Sequence, residues 1–162
     1  MSVNTEMDKA VRTQLTELLT KAHAHATLDE AVENISIEDV GKRPNNLPYS
    51  IWQLVEHIRI AQWDILEFSR DPNHKSPSWP DDYWPKEDAP ADKTAWDKAL
   101  QQIKNDCNEF IALLNAPDSD LYTPFPHGTG QTLLREAMLI ADHNSYHTGQ
   151  IIIIRRLLKE WN

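Results

Sequence analysis

Two histidines four residues apart, His143 and His147, lie in an apolar C-terminal segment with helical spacing. Residues at this spacing share one face of a helix, with Cβ atoms roughly 5–6 Å apart, so both imidazoles can reach one metal ion. A third histidine, His57, lies on the apolar face of an upstream helical segment. Burying three unpartnered imidazoles would cost free energy. The pattern therefore predicts that His57, His143 and His147 bind one metal ion, the alternative being that core hydrogen bonds satisfy them.

A metal site with three protein ligands has positions open for water or substrate. Catalytic zinc sites have this arrangement, whereas structural zinc sites are closed by four protein ligands. An all-imidazole donor set suits zinc, nickel or iron and does not discriminate between these ions. The residue after His143 is Asn144, so the glutamate that helical metalloproteases use as a general base is missing there. Peptide hydrolysis by that route is therefore disfavoured.

Metal-bound imidazoles usually donate their second N–H to a carboxylate or a carbonyl group. Three acids are close in sequence to the histidines, namely Glu56, Asp64 and Asp142. Glu56 is expected on the solvated face of its helix, as most helical acids are, and no preference is assigned to Asp142.

The remaining reactive side chains are predicted to lie outside the site. We expect His74 to be solvated, whereas His25 and His127 are more typical of surface loops but could approach the mouth of the site. Cys107 has core spacing in a helical segment and no adjacent base, so it is interpreted as a small buried residue rather than a nucleophile. The tryptophans outside segment 71–91 are predicted to fill the core or an oligomer contact.

Helical periodicity dominates the sequence and predicts four long helices. They begin near residue 5, at a capping box on Ser50, at Asp92 and at Thr132, and a shorter piece follows a capping box on Thr27. The predicted ends are near residues 22, 69, 115 and 159. Between the second and third long helices, segment 71–91 contains five prolines and no apolar period. Irregular segments of this length are often functional, and the aromatic residues within it predict a cover that packs down on the bundle.

Length and charge limit the classes of function. A chain of 162 residues suits one domain, taken here as residues 1–162. The net charge of −9 argues against nucleic-acid binding, because a phosphate-binding surface needs a basic footprint. No apolar run approaches the roughly 20 residues that span a bilayer, and the N-terminal residues do not resemble a signal peptide. A single cysteine excludes an internal disulfide, which fits a cytoplasmic location.

Two blocks of the sequence carry a resemblance to a known family. The runs SIWQLVEHIRIAQWDILEF at 50–68 and HGTGQTLLREAMLIADHNSYHTGQIIIIRRLLKEW at 127–161 resemble the DinB-like superfamily. The resemblance implies a four-helix bundle with up-down-down-up connectivity and a homodimer. It also implies a metal held by one histidine of the second long helix and two of the last, which match His57, His143 and His147.

The same superfamily includes metal-dependent transferases and isomerases that use low-molecular-weight thiols such as glutathione, mycothiol or bacillithiol. The leading hypothesis is therefore a divalent-metal-dependent thiol S-transferase, or a related detoxification enzyme or hydrolase, acting on a small-molecule substrate. The alternative is a non-catalytic metal- or ligand-binding stress protein, and a third possibility is a structural dimer with a vestigial site. An open cleft at the histidines would favour chemistry, whereas a site sealed by segment 71–91 would favour binding.

Overall fold

The structure, a computed structural model, describes residues 2–161, and all of the regular elements among them are helical. The predicted all-α class is thus confirmed. Four long helices correspond to the four predicted ones, and a short helix follows the first. In chain order they are α1 (Ser2–Thr20), α2 (Leu28–Val32), α3 (Ile51–Arg70), α4 (Lys93–Leu114) and α5 (Leu133–Leu157), with 3₁₀ turns at Pro44–Asn46 and Asp81–Tyr83.

The helices begin where the sequence places their caps. Ser50 Oγ accepts from the backbone N–H of Gln53 at 3.1 Å, and Gln53 Oε1 accepts from the N–H of Ser50 at 3.1 Å. An equivalent reciprocal box begins α2 at Thr27, and single side-chain caps begin α4 at Asp92 and α5 at Thr132. Each cap satisfies backbone donors that the first turn of a helix leaves free. Helix α5 ends at Leu157 rather than near residue 159, because Lys159 has a left-handed backbone conformation with φ of 64°.

Helix α3 is the central element, since its most extensive contacts are with α4 and α5. Its buried side chains contribute to both apolar clusters of the core. One cluster includes Leu54, Val55 and Ile58 of α3, and the other includes Leu66. Trp52 and Trp96 pack in the first cluster, with ring centroids 6.3 Å apart, as predicted for core tryptophans. No helix in the described residues is both long enough and apolar enough to cross a membrane.

Residues 71–91, here called the strap, lie against α3 and its N-terminus. Tyr83 Oη donates to Asp64 Oδ2 at 2.6 Å, and Gln53 Nε2 donates to the carbonyl of Pro85 at 3.3 Å. Ser50 Oγ donates to the carbonyl of Asp88 at 2.5 Å. The prediction that this segment packs down on the bundle is therefore confirmed.

The expectation for His74 is wrong. Its side chain is only 10% exposed, and its Nε2 lies 2.7 Å from Asp64 Oδ1. The strap folds back along α3, which places this imidazole against the carboxylate and T-shaped against the ring of Trp63 at 5.3 Å. The polar composition of the loop did not predict this contact, because the contact arises only where the strap folds back along α3.

We predict that Ser50→Ala lowers the free energy of unfolding by about 1–2 kcal/mol. The substitution removes an N-cap, and it also removes the bond that holds the strap through Asp88. Thr27→Ala is the matched control, because Thr27 also forms a capping box but begins a helix of only five residues. Denaturant titration of both variants measures the effect. An equal or smaller loss for Ser50→Ala would contradict the link between cap and strap.

Candidate metal centre

The structure brings the three predicted histidines together. One ligand nitrogen from each of His57, His143 and His147 lies within 4.8 Å of the other two. Helix α3 supplies the first ring and α5 supplies the other two, which meet it across the interface between the helices. His57 is 2% exposed and His147 is 6% exposed, whereas His143 is partly exposed. The cluster is therefore largely shielded from solvent.

In two of the rings, a hydrogen bond on Nδ1 fixes the tautomer. His57 Nδ1 lies 2.9 Å from the backbone carbonyl of Tyr83, and His147 Nδ1 lies 2.7 Å from the amide oxygen of Gln150. A carbonyl oxygen can only accept, so the proton of each neutral ring is on Nδ1. The Nε2 atom of each ring therefore keeps a free lone pair, which is the form that a metal ion requires.

The ring of His143 faces the ring of His57, with the Nε2 atoms of the two rings adjacent. His143 Nε2 lies 2.9 Å from His57 Nε2, and the N–H of His143 donates to that lone pair. Two imidazole nitrogens on one tetrahedral zinc ion, each about 2.0–2.1 Å from the metal, are separated by about 3.3 Å. For His57 and His143, replacing the shared proton by an ion thus needs only a small outward movement of the rings, and His147, within 4.8 Å of both, completes the set by moving closer. The donor set and its orientation fit a divalent metal.

Burial keeps these imidazoles neutral. Desolvation lowers the pKa of His57 to about 4, against the raising effect of its bond to the Tyr83 carbonyl. Desolvation and then the neighbouring His147 and His57 rings lower the pKa of His143 to about 4. Burial also lowers the pKa of His147. At neutral pH all three rings are therefore uncharged, so a metal ion meets no imidazolium; His143 binds through Nε2 once its proton shifts to Nδ1.

Asn144, the residue after His143, forms a hydrogen-bonded pair of amides with the buried Gln62. Gln62 Nε2 donates to the carbonyl of Ile103 at 2.6 Å, and Gln62 Oε1 accepts from Asn144 Nδ2 at 2.8 Å. The amide oxygen of Asn144 is buried and has no hydrogen-bond partner among the described residues. Asn144 lies on a different face of α5 from His143, so the spacing of the histidines does not indicate its contact with Gln62.

None of the three acids near the histidines in sequence contacts them. Glu56 is partly buried and pairs with Arg59 at 2.7 Å, and Asp142 is exposed. Asp64 is seven residues beyond His57, which is about 10 Å along a helix, and its partners are Tyr83 and His74. Asp64 thus affects the cluster indirectly, because it holds Tyr83, whose backbone carbonyl orients His57.

The sequence spacing could have indicated the contact of Gln150, since this residue is one helical turn, three residues, after His147.

Aromatic side chains surround the cluster on the strap side. Trp84 stacks on His57 with ring centroids 3.8 Å apart and planes at 5°, and Tyr49 stacks on Trp84 at 4.0 Å. Trp84 therefore covers one face of a candidate ligand. Trp79 is 71% exposed at the rim, 6.3 Å from His57, and Tyr146 is 65% exposed beside His147.

The two loop histidines considered for the mouth of the site lie apart from the cluster. His25 is exposed, and its Nε2 lies 2.9 Å from Ser145 Oγ. His127 is also exposed, and its Nε2 donates to the carbonyl of Phe68 at 2.8 Å. Cys107 is partly buried, and desolvation raises the pKa of its thiol to about 11, which agrees with its interpretation as an unreactive residue.

Comparison with known families adds one match. The family model described as the DinB superfamily matches residues 14–151, a stretch that contains all three histidines. No curated protein and no solved structure matches the chain at a significant level.

We predict that the metal-free protein loses stability as the pH falls from about 6.5 towards 4. In that range an unfolded histidine, with a pKa of about 6.5, binds a proton that folded His57 or His143, with a pKa of about 4, does not. The free energy of unfolding should then fall by up to about 1.4 kcal/mol per pH unit for each of the two rings. Above a pH of about 6.5, the contribution of these two histidines to the free energy of unfolding does not change with pH.

Denaturant titrations of chelator-treated protein at pH 7, 6 and 5 measure this dependence. The double variant His57→Gln/His143→Gln should show a shallower slope. His127→Gln is the control and should leave the slope unchanged, because this ring is exposed. A double variant with the slope of the unsubstituted protein would show that these rings do not cause it.

Proposed function

This chain belongs to the DinB superfamily, and we propose that it is a divalent-metal-binding protein whose ion is held by His57, His143 and His147. The observation that carries the proposal is the convergence of the three rings to within 4.8 Å, two of them with Nε2 lone pairs fixed by hydrogen bonds on Nδ1. Three imidazoles suit zinc, nickel or iron. They also leave at least one coordination position for a small molecule or water.

For the activity, we propose metal-dependent transfer of a low-molecular-weight thiol to a small electrophile. A bound divalent ion supplies Lewis acidity, which lowers the pKa of a thiol or water molecule placed on it. The chain's own groups have positioning roles in this proposal. Tyr83 and Gln150 orient two of the rings, Trp84 keeps water from one face of His57, and the partly exposed His143 marks the side on which small molecules enter.

A second candidate is a non-catalytic metal- or ligand-binding protein. It is favoured by the stacking of Trp84 on His57 and by the burial of two of the three rings, which restrict access from the strap side. No carboxylate hydrogen-bonds to the three rings in the described part of the chain, so a general base beside them is not identified. We further propose that the protein is a homodimer, which the exposed Ile153 and Leu157 on the outer face of α5 support.

We predict that His57→Ala lowers the affinity for zinc by at least about 100-fold. Loss of groups that only orient a ligand costs about 10–100-fold, and this variant removes a ligand itself. His127→Ala is the matched control, since His127 is an exposed histidine that bonds only to a backbone carbonyl. Elemental analysis after dialysis and competition with a coloured chelator measure binding. Retention of one ion per chain by His57→Ala would overturn the ligand assignment.

We predict that the zinc-, nickel- or iron-loaded protein joins a low-molecular-weight thiol to an electrophilic aryl halide, and that the stripped protein does not. In this reaction the sulfur forms a bond to the ring carbon, the halide leaves, and the thiol proton passes to solvent. The rate is followed by absorbance of the thioether product. Equal rates for stripped and loaded protein would overturn the transferase proposal, and full metal binding in the same sample would then favour the non-catalytic candidate.

A further inference from the structure

A cavity of about 640 Å³ has the hydrogen-bonded amides of Gln62 and Asn144 in its lining. It is open to solvent on one side and is bounded by the end of α1, the connection from residue 21 to residue 27, α4 and α5. The three histidines of the candidate metal centre and the strap are absent from its described lining. Its volume is within the range of about 300–1,000 Å³ that is typical of small-molecule sites. The cavity is therefore distinct from the metal centre.

The walls of the cavity are largely apolar. Leu28, Ile103, Cys107 and Ala141 contribute to them, and Ile103 is 7% exposed. Two large apolar side chains of the lining remain in water, since Leu18 is 53% exposed and Met138 is 54% exposed. Removing such surface from water is favourable, and the driving force is roughly proportional to the apolar area that becomes covered. The lining thus favours an apolar occupant.

The charged groups around the cavity balance one another. Lys21 and Lys104 are matched by Asp29 and Asp142 among the lining residues. Burial keeps the Cys107 thiol neutral by raising its pKa to about 11. The lining therefore has no excess of positive or negative charge that would attract an ion. A neutral molecule is therefore the better complement to this lining.

A few polar groups give the cavity a defined shape. His25 Nε2 lies 2.9 Å from Ser145 Oγ, which ties the connection between α1 and α2 to helix α5. Thr148, which is 3% exposed, and the Gln62–Asn144 pair form the polar part of the inner wall. Gln62 donates to the carbonyl of Ile103 at 2.6 Å and accepts from Asn144 at 2.8 Å, which holds both amides in the lining.

We propose that this cavity is a binding site for a small, neutral, largely apolar molecule. The proposal stands on the volume, the apolar walls and the balanced charge of the lining, and it does not depend on metal binding. Cys107, the single cysteine of the sequence, lies in the wall and supplies a reporter at the site.

The first test uses N-phenyl-1-naphthylamine, a neutral apolar probe whose fluorescence rises on transfer from water. We expect saturable binding of one probe per chain. Ala141→Phe places a ring in the cavity and should weaken binding at least tenfold. Ala112→Phe is the matched control on the exposed face of α4, outside the lining, and should leave binding unchanged. Circular dichroism establishes that both variants are folded.

The second test uses the unsubstituted protein and so does not depend on how a variant folds. Methyl methanethiosulfonate converts Cys107 to a mixed disulfide and releases methanesulfinate, and mass spectrometry gives the rate. Saturating probe should slow this modification at least fivefold in the native protein and leave the rate in denaturant unchanged. Metal-stripped and metal-loaded samples should behave alike, which separates this proposal from that for the metal centre.

Three results would overturn the proposal. One is probe fluorescence that does not saturate, or that saturates equally in the unsubstituted protein and Ala141→Phe. Another is modification of Cys107 at the same rate with and without probe. The third is probe binding that weakens as the protein concentration rises, since this would show that a second copy of the chain covers the cavity.

Discussion

The packing of α3 against α5 is the constraint on which the candidate metal centre depends. His57 is on the same face of α3 as the core residues Leu54 and Ile58, and His147 is on the same face of α5 as Ile151. The apolar residues that join the helices therefore set the distance between the imidazoles. Because the interior of a protein is closely packed, this distance has little freedom to relax. A shift of one helix along the other would separate the rings before it unfolded the bundle.

The strap orients the ring of His57 within this cluster. Tyr83 is fixed to Asp64 through its hydroxyl, and its backbone carbonyl accepts the Nδ1–H of His57. Trp84, the next residue, stacks on the same ring. A single short stretch of chain thus selects the tautomer of His57, covers one of its faces and excludes water from it. Burial disfavours the charged form of the histidine, so the ring stays neutral. The neutral imidazole is also the form that binds a metal ion.

Helix α5 contributes residues both to the candidate metal centre and to the proposed binding cavity. On α5, His143 and His147 face α3 and the strap, whereas Asn144, Ser145 and Thr148 line the cavity beside α1 and α4. The 3.6-residue period of the helix explains why adjacent residues serve different sites. Asn144 directly follows His143 in the chain and bonds to Gln62 in the lining of the cavity.

By itself, the sequence determined the helices, their caps and the set of three histidines. These features follow from local chemistry: apolar spacing identifies a buried helical face, and Ser50, Thr27, Asp92 and Thr132 each cap the helix that follows. The match to the DinB superfamily over residues 14–151 agrees with the resemblance seen in the two sequence blocks.

Only the tertiary structure decided which groups surround the histidines. The Tyr83 carbonyl is 26 residues from His57, and no side-chain pattern marks a backbone acceptor. The return of the strap buried His74, although its sequence context is polar, and it gave Asp64 partners other than the histidines. The cavity likewise arises from elements far apart in the chain. Such contacts depend on where irregular segments cross the bundle, and local spacing carries no information about that path.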